Sequence, residues 1–452
     1  MKTSDLTSGS IRTHIKNITI PASVGMVFNT LFNVVDTYFA GSIGTKALAG
    51  MSLSFPVFFI MIAIASGVGS GATALTAIAI GRDDKKDYHA LAYNSLVMGF
   101  LLSLLLMVLG PLVSKPLMVF MGGTGTSLKY GMDYLSWIFY GTAFFVLNMI
   151  LNGILTSQGD TKSYRNVLII AFILNIILDP IFVFGWFGLP KMGTKGVALA
   201  TVIVQAIGTL YLIYKVSKSD YLDIEIMKGT KLDLNKWLEL YKQGFPASIN
   251  MMTIALGVFV INYFVVKYSG DSGIAAYGAA IRVEQLALLP ALGLNTAALT
   301  ITGQNFGAKK WDRIQETYKK TLLYGVIIMV VGMFLIYPLA SITIGFFNSD
   351  PDVIRLGTQY LRIEVLCFTT YIFMGVSIAV LQGLKAPKIA IYVGIYRQLL
   401  MPLILLSLFG NWFGIVGIWY GIVIVNWSAT IFTLVYTRKK MMQIKNEHIS
   451  DI

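Results

Sequence analysis

The chain has 452 residues, 56% of them hydrophobic and only 13% charged, and its mean hydropathy is +0.71. Soluble proteins usually carry about 25% charged residues, so this composition excludes an ordinary soluble domain and points to a polytopic membrane protein. The net charge of +13 is read as the loop bias of a membrane chain, with the bilayer as its surroundings and no nucleic acid as partner.

Apolar runs of 18 or more residues recur from end to end, separated by Gly, Pro and charge clusters such as "GRDDKKD" at 81–87 and "GAKKWDR" at 307–313. They predict twelve helices, roughly 16–40, 47–80, 90–113, 131–156, 164–186, 195–216, 244–267, 274–302, 317–340, 353–381, 389–409 and 414–437. The first run exceeds a signal-peptide core and no small-residue cleavage pattern follows it, so it is expected to be retained. Of the Lys and Arg residues, 25 fall at the termini, in the linker and in the loops after helices 2, 4, 8 and 10; about 7 fall on the alternate side. The positive-inside rule then expects both termini and the linker 217–243 in the cytoplasm of a plasma-membrane protein. An even number of helices agrees with that.

An internal repeat runs through the chain. "PAS" occurs at 21–23 and 246–248, and "WFG" at 186–188 and 412–414. At the latter shift, 226, Gly81 meets Gly307, Thr76 meets Thr302, Gly99 meets Gly325 and Lys162 meets Lys388. Six helices per half is an even number, so the halves enter the membrane from the same side. The expected architecture is all-α, with two parallel, pseudo-symmetric six-helix lobes. Its divisions are 1–216, a linker 217–243, 244–437 and a tail 438–452. Two such bundles around a cavity suit alternating-access transport.

Few ionisable residues lie within the helices, and each is a functional candidate there. Helix 1 carries Asn29, Asn33 and Asp36 at steps of four and three, on one face. Helix 5 carries Asn175 and Asp179, and helix 4 Asn148 and Asn152, both pairs at i and i+4. Burying these stripes together is the cheapest arrangement. Such a carboxylate-and-amide cluster takes up a proton or binds a small hard cation through oxygens. The competing reading is that these groups are interhelical glue. Pro180, directly after Asp179, removes a backbone donor and could kink helix 5. The second half does not repeat the acids: the counterpart of Asp36 is about Asn262, and that of Asp179 about Leu405. Its own candidates are Arg282, Glu284 and Arg397. Arg282 and Glu284, two apart, face different sides of a helix, so one of them is expected at the cavity. Arg362 and Glu364 are read as lying near a helix start, at the interface.

A single cysteine, Cys367, excludes an intrachain disulfide and a Cys-based metal cluster. The three histidines, His14, His89 and His448, fall at ends or in loops, so any proton coupling has to run through carboxylates. There is no phosphate-binding loop and no stretch large enough for an ATPase domain, so the energy source is expected to be an ion gradient. The 20 methionines and the many aromatics are read as packing and lipid-facing residues, with a minority lining an adaptable cavity.

The stretches "VVDTYFAGSIGTKALAG" (34–50), "LNGILTSQGDTK" (151–162), "LNIILDPIFVFG" (174–185) and "GQNFGAKK" (303–310) resemble those of the multidrug and toxic compound extrusion (MATE) transporters. The resemblance covers nearly the whole chain. It implies twelve helices in two lobes that export organic, often cationic, drugs in exchange for Na⁺ or H⁺, without other cofactors; separately, a monomer is expected. Asp36, Asn175 and Asp179 match the cation site of DinF-like members. Thr201 would match a further ligand there, and Tyr134 and Asn152 nearby cavity residues. Glu284 resembles the acid stressed in NorM-like members, which leaves open which lobe couples. Two competitors remain. One is a flippase of the same superfamily for lipid-linked precursors, against which the helix count and the few intramembrane arginines argue. The other is a membrane-embedded enzyme or receptor, against which the lack of a nucleophile–base pair argues.

Overall fold

The computed structural model describes residues 5–221 and 223–450. Lys2 of the basic amino terminus, the last two residues of the tail and the side chain of His448 lie outside the described residues. Among the described residues the chain is helical, with no strand. The helices are α1 (Ile11–Ile43), α2 (Thr45–Gly81), α3 (Lys85–Phe120), α4 (Gly125–Tyr140), α5 (Thr142–Ser157), α6 (Lys162–Phe184), α7 (Thr194–Ser217), a short α8 (Ile224–Lys228), α9 (Leu234–Gly307), α10 (Trp311–Gly345), α11 (Pro351–Glu364), α12 (Phe368–Gly383), α13 (Ile389–Ile395) and α14 (Met401–Ser450).

A bilayer core of about 30 Å takes about 20 helical residues, so the 74 residues of α9 and the 50 of α14 are each too long for one crossing. Each is broken at a glycine in the left-handed region, Gly270 (φ 59°) and Gly414 (φ 60°). Conversely, α4 and α5 are one crossing bent by 54°. A single tight turn at Val365–Cys367 joins α11 to α12, and a widened turn at Tyr396–Leu400 joins α13 to α14. Such widened turns often mark functional sites. Counted this way, the described residues make twelve crossings, as the hydropathy predicts. The helices extend several residues beyond the predicted apolar cores because polar residues continue them out of the hydrocarbon.

The repeat is written in the backbone more clearly than in the side chains. Residues with positive φ recur in pairs at the shift of 226: Gly44 and Gly270, Asp83 and Lys309, Gly159 and Lys385, Gly188 and Gly414. The turn after α2 closes with Asp84 N–H on the Ala79 carbonyl (3.0 Å), and the turn after α9 with Lys310 N–H on that of Asn305 (2.9 Å). Asp83 and Lys309 hold a conformation that costs an L-residue energy. Each turn keeps its geometry without keeping its residues.

The chain divides into two compact units. Among the described residues, one comprises residues 24–248 with Asp5, the other residues 249–450 with 6–23. Both crossover points fall at the end of a PAS tripeptide. The start of α1 therefore packs in the second unit, and the start of α9 in the first. Small residues make each of these packings close, as in membrane helix pairs. In the first unit, a Cβ on Gly67 would collide with the Ser248 side chain and lie 2.8 Å from the Gly244 carbonyl. In the second, a Cβ on Gly293 would lie 2.6 Å from the Thr19 carbonyl and collide with the Ser23 hydroxyl. Gly67→Val is expected to lower stability by about 1–3 kcal/mol through overpacking. A melting temperature equal to that of the wild type in detergent would show the crossing to be looser than this.

The chain segment ahead of α9 is fastened to the first turns of α3. Asn94 donates to the Lys231 carbonyl (3.3 Å) and accepts from Asp233 N–H (3.0 Å). His89 Nε2 accepts from Asp223 N–H (2.7 Å), and Lys236 pairs with Asp87 (2.7 Å).

Candidate functional site

In the first unit, α1, α6 and α7 bring four polar side chains together in an otherwise apolar bundle. Asp36 is 5% exposed, Thr201 2%, and Asn175 and Asp179 0%. The i, i+4 spacing on α6 stacks Asn175 over Asp179, and the amide donates to Asp179 Oδ2 at 3.0 Å. The same Nδ2 donates to Asp36 Oδ1 across the helix interface. The Thr201 hydroxyl lies 3.3 Å from Asp36 Oδ2 and 3.0 Å from the Val197 carbonyl. It has one proton and so can serve only one of them at a time. Asn175 Oδ1 and Asp179 Oδ1 are buried with no hydrogen-bond partner among the described residues. Two carboxyls served by one amide and a part-time hydroxyl, with oxygens to spare, form a donor-poor, oxygen-rich site. Its chemistry suits a proton or a small hard cation. Tyr134, on α4, is buried within electrostatic reach of both acids.

The stripe on α1 does not stay together. Asn29 and Asn33 are exposed, with Asn33 Nδ2 bonded to the Asn29 carbonyl at 2.9 Å. The expectation that they are buried beside Asp36 is corrected: α6 packs against α1 through Gly25, Phe28 and Asp36, and Asn29 and Asn33 fall outside that contact. Asn148, on α5, is tied to α7: its amide donates to the Gln205 carbonyl (3.0 Å) and Gln205 Oε1 (2.6 Å), and its Oδ1 accepts from Thr209 (3.1 Å). Asn152 is half-buried and accepts from Thr156, one turn on, at 3.2 Å. Asn148→Ala is therefore expected to cost about 1–2 kcal/mol, at the upper end for interhelical hydrogen bonds in membranes. Asn152→Ala should cost less. Melting of the two purified variants side by side checks the order.

The second unit holds a cavity of about 380 Å³. Aliphatic residues and Met374 line much of it, and its polar wall is built from α9, α11, α12 and the widened turn that carries Arg397. Glu284 Oε2 accepts from Tyr360 (3.1 Å) and its Oε1 from Tyr371 (2.6 Å), while Tyr371 Oη also reaches Glu364 Oε1 (3.0 Å). Two phenolic protons thus face three oxygen contacts. The third is satisfied when a carboxyl brings its own proton. Arg397 stacks over the Tyr371 ring at 4.8 Å and donates to Asn426 Oδ1 at 2.6 Å. Its charge lies beside the acid pair without a direct ion pair to it.

Arg282 points away from this wall. It is exposed, with its guanidinium over Phe347 at 5.8 Å. Of the Arg282–Glu284 pair, the acid alone lines the cavity. Arg362 is likewise exposed, over Tyr337. Glu364 is 1% exposed, which corrects its reading as interfacial. Tyr360 and Tyr371 were not among the sequence candidates. Tyr360, Glu364 and Tyr371 are spaced by four and seven, one helical face, and the same periodicity argument used for α1 and α6 would have found them.

A family model described as MatE matches residues 21–181 and again 246–406, each match beginning at a PAS proline. The "Probable multidrug resistance protein NorM" of Thermotoga maritima is 28% identical over 356 residues, 78% of this chain and 76% of its own. The "FAD transporter" of Shewanella oneidensis is 27% identical over 431 residues, 93% of each chain. Among solved structures, a multidrug resistance MATE family transporter of the MOP superfamily in an outward-facing conformation superposes with a TM-score of 0.92. It is 25% identical, covering 98% of this chain and all of that one.

Proposed function

We propose, for a chain that belongs to the MATE family of membrane transporters, secondary-active antiport: an organic, often cationic compound leaves as Na⁺ or H⁺ enters. The observation that carries this reading is the buried Asp36–Asn175–Asp179–Thr201 cluster. Charged and amide oxygens are costly inside a membrane bundle, and a coupling ion gives them a purpose. In this reading the ion is cargo. Asp36 and Asp179 hold it, Asn175 keeps the two carboxyls in place, and Thr201 lends a hydroxyl oxygen.

The cavity beside Glu284, with Arg397 at its edge, receives the organic substrate. Aromatic faces and Met374 accept varied apolar bodies, and the acid pair attracts a cationic end. Ion occupancy and substrate occupancy couple if each favours a different conformational state, and the difference in affinity sets the strength of coupling. We assign the protein no enzymatic activity, a monomeric state, and a plasma-membrane location with both termini in the cytoplasm. Residues 1–216 and 244–437 form the functional lobes, joined by the linker 217–243.

The test is efflux of a fluorescent cationic dye from proteoliposomes, with a Na⁺ gradient and a pH gradient imposed separately. Dye movement driven by one gradient alone identifies the ion. The match to a "FAD transporter" over 93% of the chain favours a second substrate class, flavin dinucleotides, for which Arg397 would supply the positive contact. Flavin loaded in place of dye distinguishes the two. If neither moves under either gradient, lipid-linked precursors become the substrates to try.

A further inference from the structure

Away from both acid clusters, the structure captures a short peptide segment in a built receptacle. Residues 5–10 precede α1, and in that segment Leu6 is 1% exposed while Ser8, Gly9 and Ser10 are exposed. Gln304 Oε1 accepts from Leu6 N–H (3.1 Å), and the Leu6 carbonyl accepts from Asn305 Nδ2 (3.1 Å) and Arg313 Nη2 (3.0 Å). The same guanidinium donates to the carbonyls of Ser8 (3.0 Å) and Gly9 (2.8 Å). Its Nε donates to Asn305 Oδ1 (2.9 Å). Lys310 Nζ donates to the Thr7 carbonyl (2.8 Å) and hydroxyl (3.2 Å). The clasp is thus made by the end of α9, the turn at Lys310 and the start of α10, within the second unit. The planar fork of Arg313 serves three peptide carbonyls, those of Leu6, Ser8 and Gly9.

The first unit has a counterpart. Lys231 stands ahead of α9 where Leu6 stands ahead of α1, each fifteen residues before its PAS proline. Its carbonyl is likewise held by a side chain of its own unit, Asn94. The two grips differ in strength of hold. The segment before α9 is anchored through the chain on both sides and by an ion pair. The amino-terminal segment is held by the buried Leu6, by His14 Nε2 on the Ser8 carbonyl (2.6 Å) and by hydrogen bonds to Thr7, Ser8 and Gly9 that face solvent. Its residues, "TSGS", include no second large apolar group. Whatever holds residues 6–9 holds the origin of α1, which continues beyond Ser23 in the other unit and there carries Asp36.

We propose that residues 6–10 are a latch, clasped by Gln304, Asn305, Lys310 and Arg313, that opens and recloses in each transport cycle. The proposal rests on the transporter reading. The test uses full-length protein in proteoliposomes, with Cys367→Ala as background and Leu6→Cys as reporter. The rate of maleimide labelling is read at rest and under the ion gradient that drives dye, with dye flux recorded on the same vesicles. Labelling should be at least about tenfold faster during turnover, because a buried thiol reacts only through local opening. With Arg313→Gln added it should be fast in both conditions. A nitroxide on Ser8→Cys, which leaves Leu6 in place, should gain a mobile component under the same gradient. Equal slow labelling and an unchanged nitroxide spectrum in vesicles that do export dye would overturn the latch and leave the transporter reading standing. Vesicles that move neither dye nor flavin under any gradient would overturn export of these compounds, and labelling that stays equally slow in them with and without each gradient would overturn the latch.

Discussion

Asp36→Asn is expected to abolish gradient-driven export while leaving a folded protein. The substitution keeps the side chain's shape and an oxygen for the Asn175 amide, and it removes one of the two carboxyls in a fully buried cluster. Stability should not fall, because a neutral amide is cheaper to bury among helices than a carboxylate. Transport should fall by at least roughly tenfold, since coupling between sites is typically 5–150-fold in affinity and depends here on charge. Asp179→Asn should behave the same way. Dye efflux under the driving gradient, normalised to monodisperse protein, reads the first effect, and melting in detergent reads the second. Wild-type transport by Asp36→Asn would reduce the cluster to interhelical glue and move the coupling role to Glu284.

Tyr371→Phe is the second large effect. The ring remains beneath Arg397, but the hydroxyl that touches Glu284 Oε1 at 2.6 Å and Glu364 Oε1 at 3.0 Å is gone. Glu364 then loses its bridge to Glu284, and Glu284 is left with the 3.1 Å donation from Tyr360. Leaving buried polar groups under-served costs about 1–3 kcal/mol. If the acid pair positions a cationic substrate, dye affinity should drop about tenfold, equivalent to about 1.4 kcal/mol. Tyr360→Phe serves as the comparison, because it removes a single, longer contact and should do less on both counts. A dye titration in which Tyr360→Phe is the more damaged variant would mean that the bridge is not what organises this wall.

The crossings were legible because hydropathy over twenty residues integrates many weak signals, so a local misreading averages out. Their ends were not, since polar residues prolong helices past the bilayer core. The bend at Gly141 and the widened turn around Arg397 come from tertiary packing and left no pattern in composition. The approach of Asn175 to Asp179 could be read from i, i+4 spacing alone. The same rule could not foresee that Asn29 and Asn33 stay exposed, because periodicity fixes a face and says nothing of what covers it at each level. Glu364 was misplaced by distance: it stands thirteen residues into a span that starts at Pro351, about 20 Å along the axis at 1.5 Å per residue. The exchange of leading segments between the units was invisible for a related reason. The PAS tripeptides mark where each crossover falls, and nothing in them names the bundle on the far side.

That exchange also sets a schedule for how the protein is made. Leu6 is synthesised early, yet its partners Gln304 and Arg313 lie 298 and 307 residues further on. At about 5–20 residues per second, the leading segment waits on the order of 15–60 s before its receptacle leaves the ribosome. During that interval the start of α1 stands without the rest of the second unit, whereas the first unit is complete once residues 234–248 arrive. The first bundle can therefore close before the second exists, and a chain stalled between them leaves the start of α1, with Thr19 and Ser23, without its Gly293 partner.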